Sequence, residues 1–322
     1  MAPAAPEVPV VLKQDPGSAG GPGNLALGYT FAVLGALTFS SKAIFIKLAY
    51  AEGMGVEPLL ALRMMLALPV YLAIGALSLH DRRRRGEGLP AAGLLIKAVV
   101  VGALGYWVAM YLDFAGLSLI PAQFNVLILM TYPLFVVIFG ALIFRFPVQI
   151  RAVIAFAVAY IGIGVIFSGR LGSADGKMIL GAAFVLAAAV TFALYMLFAK
   201  EVIGRMGARL FTCVTMVAVS ILAIGQFLIV DPISALSITR EAWIYTILLA
   251  VVSTIFPTFL INAALQQITA QANSTIGMLA PVASILLAFL VLGEMLSVRD
   301  MIGAALVIGG VGWFTLGGRR SL

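Results

Sequence analysis

The sequence predicts an all-α integral membrane protein with ten transmembrane helices, arranged as two inverted five-helix repeats. Three observations support this fold class. Of the 322 residues, 63% are hydrophobic and only 10% are charged, and the second half of the chain repeats the first. Soluble domains carry about 25% charged residues, so a chain with a mean hydropathy of +1.14 lacks the polar surface that water requires.

The repeat consists of two gapless alignments. Residues 111–166 match residues 259–314, anchored by Ala122-Gln123-x-Asn125 on Ala270-Gln271-x-Asn273 and by Pro133 on Pro281. The starts of the two halves match separately, with Thr38-Phe39 on Thr191-Phe192, Phe45 on Phe198 and Lys47 on Lys200. Internal repeats define the architecture of a chain. We therefore predict a disordered tail at 1–24, a first repeat at 25–170, a second at 171–318 and a short C-terminus at 319–322.

Ten apolar segments are long enough to be membrane spans, since a crossing helix needs about 20 such residues. They are 27–49, 56–79, 94–117, 119–142, 148–168, 178–199, 208–230, 241–265, 270–292 and 298–317.

Lysine and arginine favour cytoplasmic loops, which predicts the orientation. With the N-terminus in the cytoplasm, thirteen of these cations lie inside and five outside, and the Arg82–Arg85 run alone argues strongly for this choice. Both termini are then cytoplasmic in a bacterial-type inner membrane. Because each half has an odd number of spans, the second half inserts upside down. Inverted repeats of this kind permit alternating access around a shared central cavity.

Several function classes are excluded by what the sequence lacks. The cations behind the net charge of +7 sit in short loops and form no basic face for nucleic acid. The single Cys213 lies in an apolar run, and no metal motif is present. No Ser-His-acid grouping surrounds His80, and no phosphate-binding glycine loop precedes a lysine. We expect no enzyme activity, no cofactor and no metal, and transport would use a substrate gradient or a proton or other ion gradient.

Several stretches resemble the EamA-type drug/metabolite transporters. They are Thr38-Phe39-Ser40-Ser41-Lys42-Ala43 in the first span and the segment from Pro281 to Leu292-Gly293-Glu294-x-Leu296-Ser297. The resemblance covers residues 27 to 317 and implies ten helices and transport of small molecules, often export of amino acids or other metabolites. The first half departs from the pattern, because Arg145-Phe146 stands where the second half has Gly293-Glu294.

Charges inside the membrane cost about 2.5–3.5 kcal/mol each on insertion scales, which makes them functional candidates. Lys42, Arg63 and Asp113 fall at similar depth in the outer half of the predicted bilayer. Asp113 can neutralise either cation, and the other cation would then attract a carboxylate if it faced a cavity. A structural ion pair, or snorkelling to the interface, is the alternative. The matching residues of the second half are neutral, so we expect the charged cluster to gate or couple transport and the neutral midplane to set selectivity.

Amides form a second set of candidates, because carboxamides both donate and accept hydrogen bonds. Gln123 and Asn125 begin the fourth span at its outer side, whereas their counterparts Gln271 and Asn273 begin the ninth at its inner side. Asn262 and Gln266 end the eighth span near the latter pair. These residues are predicted to line or gate the two mouths of the central cavity. Helix capping and hydrogen bonding between helices are the alternative.

Aromatic and proline residues complete the candidate site. Trp107 and Tyr195 are mid-span aromatics suited to a pocket, although such residues more often serve bundle packing. Pro133 and Pro281 sit mid-span at matching places, where the missing backbone N–H breaks or kinks a helix. They are predicted hinges.

The sequence thus predicts a secondary transporter that exports small metabolites, amino acids first among them. Such a substrate needs a group for its carboxylate, for which Lys42 or Arg63 is the candidate. An exporter of lipophilic cations or drugs, which would expose an unpaired acid, is the alternative. A channel and an intramembrane enzyme are alternatives of a different class.

Overall fold

The computed structural model of the chain describes residues 22–120, 122–148, 150–167, 176–284 and 298–317, which form helices and connecting turns with no strand among them. The helices are α1 (Pro22–Ser40), α2 (Lys42–Ala51), α3 (Val56–Arg84), α4 (Ala92–Val100), α5 (Val108–Leu119), α6 (Ala122–Leu129), α7 (Tyr132–Leu142), α8 (Ile150–Phe167), α9 (Gly176–Met206), α10 (Ala208–Val230), α11 (Arg240–Ala250), α12 (Phe256–Gln267), α13 (Ala270–Gly277) and α14 (Val298–Gly317).

Within these ranges, six helical segments are long and apolar enough to cross a membrane. They are Leu25–Ala51, Val56–Arg84, Ala92–Leu119, Gly176–Met206, Ala208–Val230 and Arg240–Gln267. Each coincides with one of the predicted spans. Shorter apolar helices occupy the predicted fifth and tenth spans. Many of the exposed side chains are large and apolar, for example Leu104, Ile161 and Ile229. The all-helical membrane fold predicted from composition is therefore confirmed.

The predicted fourth and ninth spans are interrupted at matching places. Helix α6 ends at Leu129 and α7 begins at Tyr132, while α13 ends at Gly277 and residues 280–284 resume the helix. The cause is a proline just after each break. Pro133 and Pro281 have no N–H to donate to the carbonyl four residues earlier, and proline is favoured in a first helical turn. Residues 285–297, which contain Glu294 and the rest of the predicted ninth span, lie outside the described ranges.

Two π-helical turns also fall in matching spans. They occupy Val101–Trp107, between α4 and α5, and Val251–Ile255, between α11 and α12. In the second turn Thr254 Oγ1 donates to the carbonyl of Leu249 at 2.8 Å. Such turns are rare and are often found at functional sites. No feature of the sequence predicted these turns.

Four helix pairs make the most extensive contacts. Helix α3 lies along α10, α8 along α14, α1 along α12 and α5 along α9. The buried apolar residues form two clusters, one around α9 and the other among α2, α3, α5 and α10. Tyr106 and Val126 pack against both clusters. The polar residues described next lie near this junction.

Candidate functional site

A buried ion pair joins the first and third predicted spans. Lys42, the first residue of α2, donates from Nζ to Asp113 Oδ2 on α5. Asn125 Nδ2 on α6 donates to the other oxygen, Asp113 Oδ1, at 2.8 Å. The exposed fractions are 7%, 2% and 0% for Lys42, Asp113 and Asn125. Both carboxylate oxygens are therefore occupied, and of the two possible cations it is Lys42 that Asp113 neutralises.

Arg63 on α3 has no such partner. It is 2% exposed, and its guanidinium lies over the ring of Phe114, 4.7 Å from the centroid. Nη2 donates to the sulfur of Met110, while Nε has no hydrogen-bond partner. Within the described ranges Arg63 forms no ion pair. A buried cation without a counter-charge is costly, and a cation–π contact offsets only part of that cost.

These charges line a cavity, here called the charged chamber. Its remaining lining is mostly apolar and aromatic, as is usual for a small-ligand site. The lining residues are Phe39, Lys42, Arg63, Tyr106, Ala109, Met110, Asp113, Phe114, Leu129, Tyr132, Ala188, Phe192 and Ser253. Arg63 and Lys42 outnumber Asp113, so this lining carries a formal charge of +1.

A second cavity has no charged residue in its lining and is here called the neutral chamber. It reaches both helix breaks, through Met130 on one side and Gly277 on the other. Asn273 is its single amide, and Asn273 Nδ2 donates to the carbonyl of Ile261 at 3.4 Å. The lining residues are Ala32, Ala36, Phe39, Met130, Tyr132, Phe192, Met196, Ile261, Asn273, Gly277 and Ala280.

Two of the other predicted amides, Asn262 and Gln266, have structural partners. Asn262 accepts from Tyr195 Oη at 3.1 Å and donates to Thr212 Oγ1 at 2.9 Å, so it links α12 to α9 and α10. Gln266 is exposed and accepts from the backbone N–H of Ala208 at 3.2 Å, at the start of α10. Gln271 Nε2 is buried without a partner. The side chain of Gln123 lies outside the described part of the chain.

The two predicted aromatics, Trp107 and Tyr195, both pack within the helix bundle. Trp107 lies in the first π-helical turn and packs against the cluster of α2, α3, α5 and α10, and its indole Nε1 is buried without a partner. Trp107 belongs to neither chamber lining. Tyr195 is 2% exposed and packs edge-on to Tyr106, with ring centroids 5.3 Å apart. Tyr195 therefore packs against Tyr106, a residue that lines the charged chamber.

Sequence reasoning missed two aromatic residues, Phe39 and Phe192, that line both chambers. The signal was present, because Thr38-Phe39 and Thr191-Phe192 are anchors of the repeat alignment. In the sequence, however, one large apolar residue at matching places in the first helix of each half indicates ordinary core packing. Only the fold brings the two rings together.

Comparisons with known proteins agree with this architecture. The model of the EamA-like transporter family matches the chain twice, over residues 26–168 and 179–316. An uncharacterized transporter of Bacillus subtilis (strain 168), YcbK, is 27% identical over 286 residues, covering 86% of this chain and 89% of its own length. An uncharacterized transporter of Clostridium kluyveri is 23% identical over 286 residues, covering 87% and 90%.

A solved crystal structure shares the fold, with a TM-score of 0.72 and 19% identity over 91% of this chain and 98% of the other. The family matches cover both halves and extend over most of the sequence, and the resemblance inferred from the motifs is confirmed. The chain belongs to the EamA-like transporter family.

Proposed function

We propose that this protein is a secondary transporter that exports small carboxylate-bearing metabolites, amino acids first among them, across the inner membrane. In this proposal two inverted five-helix repeats, 25–170 and 171–318, alternate access to a central cavity. The observation that carries the substrate class is Arg63, which is buried in the wall of the charged chamber without an acidic partner in the described ranges.

The packing of helices between the two halves supports the inverted repeat. Helix α1 packs on α12 and α9 packs on α5, so the opening helix of each half contacts the third span of the other. A Cβ on Gly162 would lie 2.6 Å from the Gly303 carbonyl oxygen, and one on Gly310 would lie 3.0 Å from that of Ala155. In the repeat alignment Gly162 matches Gly310 and Ala155 matches Gly303. These contacts are reciprocal, as a two-fold relation between halves requires.

The connections at the two ends of the bundle support inversion. Thr239 Oγ1 donates to Glu52 Oε2 at 3.0 Å, so the first and seventh predicted connections meet at one end. Arg209 pairs with Asp81 at 3.2 Å, which brings the second and sixth connections together at the other end. In parallel repeats the first connection would instead share an end with the sixth. Opposed halves with a site between them are the basis of alternating access.

An anionic group suits the charged chamber better than a cationic one. The planar guanidinium of Arg63 matches a carboxylate, to which arginine often makes two parallel hydrogen bonds. Asp113, the single acid in this lining, already binds Lys42 and Asn125. A lipophilic cation would have to displace that pair, and this disfavours the alternative of drug export.

Counterflow in proteoliposomes tests the proposal. Liposomes holding one unlabelled substrate are offered labelled amino acids or cationic dyes, with and without a pH gradient. We expect accumulation of carboxylate substrates. Arg63→Met should reduce their apparent affinity about 10- to 100-fold, since a charge-assisted hydrogen bond contributes about 1.5–3 kcal/mol. Arg63→Lys should lose less, because the charge remains but the forked geometry does not.

Arg240→Met is the matched control, because this exposed arginine begins α11 and belongs to neither chamber lining. It should transport like the wild type. Carboxylate counterflow that is unchanged in Arg63→Met would refute the assigned role of Arg63. Accumulation of dyes alone, insensitive to Arg63, would favour the cation exporter.

A further inference from the structure

Phe39 on α1 and Phe192 on α9 stack on each other. Their ring centroids are 6.4 Å apart and the ring planes differ by 12°. The two residues match in the repeat alignment, and so do the threonines before them. Thr38 Oγ1 donates to the Leu34 carbonyl at 2.9 Å, and Thr191 Oγ1 donates to the Ala187 carbonyl at 2.9 Å. The matching positions of α1 and α9 therefore carry the same local hydrogen bonds and meet through their aromatic rings.

The stacked rings lie where the two chambers adjoin. Phe39, Phe192 and Tyr132 are the residues common to both linings. Tyr132 packs edge-on to Phe192, with centroids 5.2 Å apart. Both phenylalanines are half-buried, and both line the two chambers. These three side chains thus form a partition with the charged chamber on one side and the neutral chamber on the other.

We propose that the Phe39–Phe192 stack is the barrier within the transport path, so that a substrate passes from one chamber to the other when the rings separate. This proposal rests on the transport function proposed above. It extends that function to the neutral chamber, which becomes a second place along the transport path that the substrate occupies. One ring comes from each half, so relative motion of the halves changes the stack directly. Rigid-body motion of repeats against each other is how such transporters expose a site to alternate sides.

Tyr132 connects the barrier to the broken helices. It is the first residue after the break between α6 and α7, and its hydroxyl donates to the Ser274 carbonyl on α13 at 3.4 Å. Tyr160 Oη donates to the carbonyl of Met130, within the break, at 2.7 Å. Tyr132 therefore links the barrier to the first break and to α13, the helix that precedes the second break.

Thiol labelling tests the barrier without any substrate. Cys213 is the single cysteine, so Cys213→Ala provides the background. Ala36→Cys reports on the neutral chamber and Ala109→Cys on the charged chamber. A charged methanethiosulfonate reagent that does not cross lipid is added to either face of oriented membrane vesicles. For each reporter, the ratio of labelling rates from the two faces measures the barrier.

With the native rings we expect a ratio far from one, with the preferred face opposite for the two reporters. Phe39→Ala with Phe192→Ala should move both ratios at least tenfold towards one. The control is Phe45→Ala with Phe198→Ala, a matched pair on the same two spans that lines neither chamber; its ratios should stay unchanged. Phe39→Leu with Phe192→Leu keeps most of the apolar volume and should shift both ratios by an intermediate amount. This variant still tests the barrier if the alanine variant does not fold.

Unchanged ratios in both the alanine and the leucine variants would overturn the barrier. The same would follow if the Phe45 and Phe198 control shifted the ratios equally. Carboxylate counterflow of the wild type is measured in parallel. Its absence would refute the proposed function while the labelling ratios still report on the partition, so the two failures are distinguishable.

Discussion

Asn125 and Asn273 occupy matching places in α6 and α13, and each donates a side-chain hydrogen bond to the residue 12 positions before it. The acceptors differ: Asn125 meets the carboxylate of Asp113 at 2.8 Å, whereas Asn273 meets the backbone carbonyl of Ile261 at 3.4 Å. The two halves thus share one geometry but differ in charge. This difference makes one chamber charged and leaves the other neutral.

The ion pair gives a prediction about stability. Asp113→Asn leaves Lys42 as a buried, unpaired cation, and Lys42→Met leaves Asp113 as an unpaired anion. Removing one partner of a buried pair costs about 3–5 kcal/mol, whereas replacing both with apolar groups is often neutral. We expect each single variant to unfold at a clearly lower temperature in detergent, and Lys42→Met with Asp113→Leu to recover most of the loss. A double variant as unstable as the singles would contradict the prediction.

The same variants separate structural and functional roles of the pair. If Lys42 and Asp113 gate or couple transport, the stable double variant should still lose counterflow. Wild-type transport by the double variant would show that the pair only fixes the position of α2 against α5.

Gly277 gives a prediction about close packing at the second helix break. A Cβ at this position would collide with the hydroxyl of Tyr132 and would lie 3.2 Å from its Cζ. Gly277→Ala should therefore displace the ring that borders both chambers and reduce the transport rate at least tenfold. Tyr132→Phe removes the colliding oxygen, so the double variant should recover most of that rate.

Counterflow rates of the two single variants and the double variant provide the measurement. Gly225→Ala is the control, because a Cβ there meets no atom within 4 Å. A Gly277→Ala loss that Tyr132→Phe does not relieve would mean that another contact limits this position.

The prolines give a prediction about the helix breaks. Pro133→Ala restores an N–H that can bond the carbonyl of Leu129, and Pro281→Ala does the same for Gly277. The restored hydrogen bond lets the two helix segments join, so each variant should raise the unfolding temperature and slow turnover. Pro69→Ala, in the interior of the continuous helix α3, should raise stability without slowing transport. Faster or unchanged turnover in both hinge variants would remove the hinge role.

The positions of the helices followed closely from the sequence. The predicted spans 208–230 and 298–317 coincide with α10 and α14. Apolar length dominates these boundaries, because an unsatisfied backbone group in hydrocarbon costs several kcal/mol and forces a continuous helix. The alignment also located Pro133 and Pro281 at matching places. It did not show that the helices stop there, at Leu129 and Gly277, or that π-helical turns occur in the third and eighth predicted spans.

Functional contacts were predicted only as a short set of alternatives. The sequence alone determined that the first half carries three intramembrane charges whose counterparts in the second half are neutral, and it predicted that the three share a similar depth. The tertiary structure decided that Asp113 binds Lys42 and leaves Arg63 over Phe114. It also decided that Phe39 meets Phe192. Hydrophobicity fixes depth along the membrane normal residue by residue, but lateral neighbours depend on how distant helices pack, and that information is not local to any stretch of sequence.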